Sequence, residues 1–214
     1  RASLDEYLTW SAGKDKALCF RCHAPHVNEF PDQVQNFINQ TKSGDPTMDG
    51  VGCTQCHLIQ HIDRSTHPPT PKYEPGKTFY GPYKDAAKNL AHQSMNSELF
   101  RKSELCLNCH LTIPAAANLG KSNDLLGDWE SSKAVKSGKD CQTCHMPEQV
   151  GESANGEAKR TVANHTFPGR LGRLRQEAAK LTIATDVKGE QTKVTVIVQS
   201  LVPHHLPTTH PGWA

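Results

Sequence analysis

The sequence predicts a mostly irregular fold of short α-helices, with a small β-hairpin toward the C-terminus. Only 36% of the 214 residues are hydrophobic and 6% are aromatic, which is a thin supply for a side-chain core in a chain of this size. All eight cysteines fall in one short motif that occurs four times. Late in the chain, β-branched residues alternate with polar ones, as they do in strands.

The repeated motif is Cys-x-x-Cys-His. It reads CFRCH at 19–23, CTQCH at 53–57, CLNCH at 106–110 and CQTCH at 141–145. This is the attachment pattern for c-type haem. Two thiols separated by two residues can bond to both vinyl groups of one porphyrin, and the imidazole of the next residue then lies under the iron. The predicted thioether residues are Cys19, Cys22, Cys53, Cys56, Cys106, Cys109, Cys141 and Cys144, and the predicted proximal ligands are His23, His57, His110 and His145.

Other uses of eight cysteines explain the motif less well. Pairs of Cys-x-x-Cys form zinc sites and redox motifs, and eight cysteines can form four disulfides in a secreted protein. None of these uses requires a histidine directly after the second cysteine in all four motifs. We therefore expect four covalently bound haem c groups, with the short helices and irregular segments wrapped around them as the main core of the protein.

Each iron also needs a ligand on its distal side, and histidine is in surplus for that role. Eight histidines lie outside the four motifs, so every haem can have two axial imidazoles, which gives low potentials. One of His61 and His67 is expected to bind iron, and His26 is a candidate for a haem of its own chain or of another molecule. In the segment HHLPTTHPGWA, the side chains of the adjacent His204 and His205 diverge, so at most one of them binds a given iron. Pro203 and Pro207 stiffen the segment. The distal candidates are His92, His165, His204, His205, His61, His67 and His26, with His210 behind them.

The chain is expected to have two parts. Residues 1–169 form the tetrahaem region, with helices predicted at 3–20, 30–40, 83–100 and 127–138, the last ended by a glycine. Residues 170–214 form a β-hairpin, KLTIATDV and KVTVIVQSLV joined by KGEQT, followed by the histidine-bearing loop. A hairpin alone is marginal in water, so it packs on its own haems or pairs with another molecule.

Several segments resemble multihaem c-type cytochromes of anaerobic respiration. GVGCTQCH is similar to a haem motif of the tetrahaem group first known from ammonia oxidisers, and SELCLNCH, CQTCHMP and HTFPG are similar to a paired-haem segment of the wider superfamily. The segment VTVIVQSLVPHHLPTTHPG resembles a strand followed by a GHxxPTG-type loop whose histidine binds haem. That resemblance puts His204 in the ligand position. Pro203 and Thr209 stand where that loop has glycine, so His205 stays the alternative.

With four haems, the chain most resembles the extracellular tetrahaem cytochromes of the OmcE type, which polymerise into conductive filaments in metal-reducing bacteria and archaea. The resemblance implies electron transfer along stacked haems, copies of the chain as partners, a haem ligand from the next subunit, and an extracellular location. A soluble periplasmic shuttle is the alternative, with other redox proteins or extracellular acceptors as partners. A multihaem reductase needs an open iron position, for which the sequence has no sign, so we expect no enzyme. Neither a basic run for nucleic acid nor a membrane-spanning segment is present in the sequence.

Overall fold

The structure is a computed structural model that describes residues 39, 51–66, 69–73, 76, 78–86, 92–110, 125–168 and 172–206. Contacts divide the chain into two compact units, Arg1–Phe100 and Arg101–Ala214. The predicted division after residue 169 stays a prediction. Several predicted features lie outside the described residues: the helix at 3–20, the helix at 30–40 except for residue 39, the first motif at 19–23, and His26, His67 and His210.

In its described residues, the first unit has one motif helix and two small sheets. Helix α1 spans Cys53–His57. Strands β1, Ile59–Asp63, and β2, Thr70–Tyr73, pair antiparallel, with a register shift between Ile59 and His61. Strands β3, Thr78–Gly81, and β4, Gln93–Asn96, pair in parallel. None of these four strands was predicted from the sequence.

The helix predicted at 83–100 is wrong over most of the residues that the structure describes, and 83–86 form a turn with irregular ends. Residues Gln93–Asn96 form strand β4, and a 3₁₀ turn follows at Glu98–Arg101. Local helix propensity is a weak preference, and the backbone hydrogen bonds of β4 to β3 outweigh it here. The turn continues directly from the strand, since the Ser97 N–H donates to the Gly81 carbonyl at 2.8 Å.

The second unit holds the third and fourth motifs on short helices. Helix α2 spans Glu104–Leu107, α3 Leu125–Ser131, α4 Lys133–Lys136, α5 Cys141–His145 and α6 Arg173–Glu177. Strands β5, Glu148–Gly151, and β6, Arg160–Ala163, pair antiparallel directly after the fourth motif. No helix in the described part of the chain has the length and apolar character needed to span a bilayer.

The helix predicted at 127–138 is in fact two helices. Ser132 has an extended backbone between α3 and α4, and its hydroxyl accepts from the Ala134 and Val135 N–H groups at 3.2 and 3.5 Å. This is an N-cap, which satisfies donors that a new helix leaves unpaired. The glycine stop is as predicted: Gly138 has φ +68, and its N–H donates to the Val135 carbonyl at 2.9 Å.

The hairpin consists of β7, Ala179–Lys188, and β8, Gln191–Ser200. The connection is shorter than the five residues expected from KGEQT, because Lys188 pairs with Gln191 and only two residues turn the chain. Gly189 is the first of them, with φ +62, as a type II′ turn requires. Such a turn matches the twist of the strands, so the ladder runs up to it. Every residue of β8 is exposed.

Few apolar side chains are buried. Within the residues that the structure describes, the buried hydrophobic side chains are Ile59, Ile62, Tyr80 and Leu107. Some polar side chains are buried as well, notably Ser103 with 0% exposure. In this part of the chain, side chains alone therefore supply little core. The wrapping of the chain around haems stays a prediction.

Candidate haem-binding site

The second motif is a single helical turn with its histidine fixed in place. The Gly52 N–H donates to Gln55 Oε1 at 2.6 Å and closes the N-terminus of α1. On a helix, residues three and four apart share one face, so Cys53, Cys56 and His57 project from the same side. The Tyr80 carbonyl of β3 accepts from His57 Nδ1 at 2.6 Å. Strand β3 therefore sets the orientation of this imidazole.

Aromatic and apolar contacts complete this motif. The Phe100 ring stacks on His57, with ring centres 5.0 Å apart and planes inclined by 20°. Burial raises the pKa of the Cys56 thiol, and the neighbouring Cys53 raises it further. The motif thus lies in a partly desolvated setting, as a site for a large apolar group requires.

Two distal candidates of the first unit lie on or next to its strands. His61 is exposed on β1, opposite Lys72 of β2. His92 directly precedes β4, where its ring packs against Phe79 at 4.6 Å between centres, and its Nδ1 donates to the Gln93 carbonyl at 3.1 Å. The structure thus places His92 at the start of a strand rather than on the predicted helix.

The third and fourth motifs are joined at their starts by a partly buried hydrogen-bond cluster. Asp140 Oδ1 accepts from the Ser103 N–H at 2.8 Å and from the Ser103 hydroxyl at 2.9 Å. The Ser103 oxygen in turn accepts from the Cys141 N–H at 2.9 Å. A hydrogen bond from the Cys106 thiol lowers the pKa of Cys141 to about 7. The attachment points of these two motifs are therefore adjacent.

His204 lies opposite the proximal histidine of the fourth motif. The ring centres of His145 and His204 are 6.4 Å apart, with planes inclined by 26°. With about 2 Å for each metal–nitrogen bond and roughly 1 Å from nitrogen to ring centre, two imidazoles on one metal ion have centres about 6 Å apart. This distance is therefore close to the one that two imidazoles bound to a single iron would have.

The tautomer of His204 fits the same role. Its Nδ1 hydrogen-bonds the His205 carbonyl at 3.1 Å, and a carbonyl can only accept. Nδ1 therefore carries the proton, and Nε2 keeps the lone pair that a metal needs. Burial lowers the pKa of His145, and the nearby His204 and His110 lower it further. Low pKa values favour neutral imidazole, which is the ligating form.

His205 points to a different partner. Both its backbone N–H, at 2.9 Å, and its ring Nδ1 hydrogen-bond Asp128 Oδ2 on α3. Its Nε2 is buried and has no hydrogen-bond partner among the described atoms. The two adjacent histidines thus diverge, as the sequence predicted, and it is His204 that faces a proximal histidine.

His165 follows β6 in an ordered turn. Its Nδ1 donates to the Ala163 carbonyl at 3.0 Å. Two hydrogen bonds connect this turn to the residues that directly follow the fourth motif. The Asn164 N–H donates to the Pro147 carbonyl at 3.0 Å, and the Asn164 side-chain amide donates to Gln149 Oε1 at 2.9 Å. His165 itself is exposed, with Phe167 at its edge.

The described residues fit covalent haem better than they fit zinc or disulfides. Cys53, Cys56, Cys141 and Cys144 are free thiols, as thioether formation requires. Among the described residues, no three His, Cys, Asp or Glu side chains converge as ligands of a bare metal ion. His57, His92, His165 and His204 each pair Nδ1 with a backbone carbonyl, the arrangement that orients metal-bound imidazoles.

Comparisons with known proteins agree with this chemistry. Residues 4–58 match the family of cytochrome c554 and c-prime, a segment that includes the first two motifs. A penta-haem cytochrome c552 from Thermochromatium tepidum has a similar structure, with a TM-score of 0.57, 21% identity and 91% of this chain covered. The fold is that of a multihaem c-type cytochrome. The chain spans about half of that cytochrome, 53% of its length, and no curated protein matches the chain.

Sequence reasoning missed the residues that hold the histidines and the motifs in place. Asp128 was assigned only to a helix, and Ser103 and Asp140 were not singled out. Their roles depend on contacts between residues 37 to 77 positions apart, for which a single sequence carries no signal.

Proposed function

We propose that the protein is an electron carrier with four covalently bound haem c groups, each with two axial histidines. The observation that carries this proposal is the His145–His204 pair, because its 6.4 Å spacing suits a six-coordinate iron that has no open position for a substrate. Haem c, when bound, supplies a one-electron iron couple. The chain's residues hold the ring protons at Nδ1, fix the imidazoles and exclude water.

The joined third and fourth motifs support transfer between haems. Since Ser103 and Asp140 link the starts of α2 and α5 directly, the groups attached there lie close together. Electron transfer needs such close approach and a fixed geometry, but it needs no acid, base or nucleophile. The multihaem cytochrome fold is consistent with a carrier rather than an enzyme.

Haem counting and spectroscopy test the proposal. We expect denatured protein to retain four haems per chain, and the ferric protein to give only low-spin EPR signals. Three haems or fewer contradict the count of four. A stoichiometric high-spin signal contradicts the carrier and favours the multihaem reductase, because it reports an iron with an open or weakly bound position.

We further propose that copies of the chain associate into extracellular filaments. The support is the hairpin, whose apolar side chains are exposed on both strands: Leu181, Ile183, Val187, Val194, Val196, Ile197 and Val198 are each 54–67% exposed. Exposed apolar surface and unpaired strand edges are typical of surfaces that bind another chain. In a filament, this surface pairs with a neighbouring copy.

A soluble periplasmic shuttle is the second candidate, and one observation favours it. His204 faces His145 of its own chain, so this histidine is not needed as a ligand for a neighbour. Negative-stain electron microscopy of the native, haem-loaded protein separates the two. Uniform thin filaments support the polymer, whereas small separate particles support the shuttle, with other redox proteins as its partners.

A further inference from the structure

Asp128 connects α3 to the segment that carries His204 and His205. One carboxylate oxygen, Oδ2, accepts from the His205 backbone N–H at 2.9 Å and also hydrogen-bonds His205 Nδ1. A side chain and a backbone group of the same residue are thus held by a single oxygen. This double contact fixes both the position of the His205 peptide and the rotation of its ring.

The hydrogen bonds continue from His205 to His204. The His205 carbonyl accepts from His204 Nδ1 at 3.1 Å, and the His204 ring faces His145 at 6.4 Å between centres. Asp128 therefore fixes the residue whose carbonyl orients the His204 ring. The path from the carboxylate to the imidazole runs through one residue.

The charge of Asp128 strengthens these contacts. An aspartate side chain is ordinarily ionised at neutral pH. Asp128 is therefore a carboxylate at neutral pH. Hydrogen bonds to a charged acceptor are about twice as strong as neutral ones.

We propose that Asp128 is the positioning residue for the distal ligand of the fourth haem: it anchors the His205 peptide and thereby aims His204 Nε2 at the iron bound by His145. This inference rests on the proposed function, since it concerns an axial ligand. It assigns His204 as the ligand and His205 as its support, although His205 Nε2 is itself buried without a hydrogen-bond partner among the described atoms.

The experiment compares variants of the full, haem-loaded chain. Asp128→Asn removes the charge, and Asp128→Glu keeps it on a longer side chain. Asp186→Asn is the matched control. Asp186 is an exposed aspartate on β7, and its side chain forms an ion pair with Lys188. The readouts are the haem count per chain, the EPR spin state of ferric protein and the fraction of reduced haem that binds carbon monoxide.

We expect Asp128→Asn to keep all its haems, because the thioethers are untouched, while the distal imidazole of one haem in four binds about 10- to 100-fold more weakly. That haem then acquires high-spin character and binds carbon monoxide. Asp128→Glu restores part of the low-spin signal, and Asp186→Asn matches the wild type. His204→Ala converts the same single haem completely, whether residue 128 is Asp or Asn.

Two results overturn the inference. One is an Asp128→Asn protein with the spectra of wild type while His204→Ala loses a ligand, because the carboxylate then has no effect on the imidazole. The other is loss of low-spin haem in His205→Ala but not in His204→Ala, because His205 is then the ligand. Wild-type protein without covalent haem instead contradicts the proposed function, so the two failures are distinguishable.

Discussion

Replacing Ser103 by alanine tests whether the cluster between the third and fourth motifs stabilises the protein. Ser103 is fully buried, and its hydroxyl both donates to Asp140 Oδ1 at 2.9 Å and accepts from the Cys141 N–H at 2.9 Å. Alanine keeps the backbone bond to Asp140 but removes both hydroxyl contacts. Because the cluster joins two haem-attachment helices, its loss weakens the part of the protein that sets their separation.

The magnitude follows from the two lost contacts. A hydrogen bond to a charged group contributes about 1.5–3 kcal/mol, and a neutral one contributes about 1 kcal/mol. The Cys141 N–H at the start of α5 also loses its acceptor in a partly buried position. We therefore expect Ser103→Ala to lower the free energy of unfolding by about 2–4 kcal/mol.

Denaturant unfolding of the haem-loaded protein, followed by the Soret band, measures this difference. Ser137→Ala is the matched control, since the Ser137 hydroxyl is exposed and makes one hydrogen bond, to the Ala134 carbonyl at 2.9 Å. We expect less than about 0.5 kcal/mol for that variant, as for other surface substitutions. Equal losses in the two variants, or a loss under about 0.5 kcal/mol for Ser103→Ala, would refute the reasoning.

Three further predictions concern other parts of the chain. Gly189→Ala puts a residue with a Cβ into the left-handed region at φ +62 and should lower hairpin stability by about 1 kcal/mol. Gly81→Ala should have no such effect, because nothing lies within 4 Å of the added Cβ. Far-UV circular dichroism during thermal unfolding compares the two variants. Phe100→Leu removes the ring stacked on His57 and should cost about 0.5–1.5 kcal/mol in the unfolding free energy; no change in denaturant unfolding would mean that the stack contributes nothing. The hydrogen bond from Ser65 lowers the pKa of Asp63, so the stability it gives is present above an unfolded pKa of about 3.9 and is lost as pH falls through the lower folded value. The unfolding midpoints of wild type and Asp63→Asn should therefore differ by a constant amount between about pH 5 and 7 and begin to converge as pH falls below about 4. A gap that stays unchanged in stronger acid would contradict this.

The sequence by itself determined the haem-attachment motifs, and it predicted the strands and the helix end that depend on local sequence signals. Cys-x-x-Cys-His carries its meaning in five consecutive residues, because one helical turn brings thiols and imidazole to one side. The alternation that became β7 and β8, and the glycine stop at Gly138, are equally local. Local signals failed at 93–96, where pairing with β3 made a strand of a predicted helix, and at Ser132, whose hydroxyl caps a second helix.

Only the tertiary structure decided which histidine meets which partner. His204 and His205 are neighbours with the same side chain, so sequence spacing treats them alike. His204 faces His145 because Asp128, 77 residues before His205, holds the peptide between them. The Ser103–Asp140 cluster likewise joins residues 37 apart. Such contacts depend on how distant segments pack, and a single sequence records the residues but not their distances.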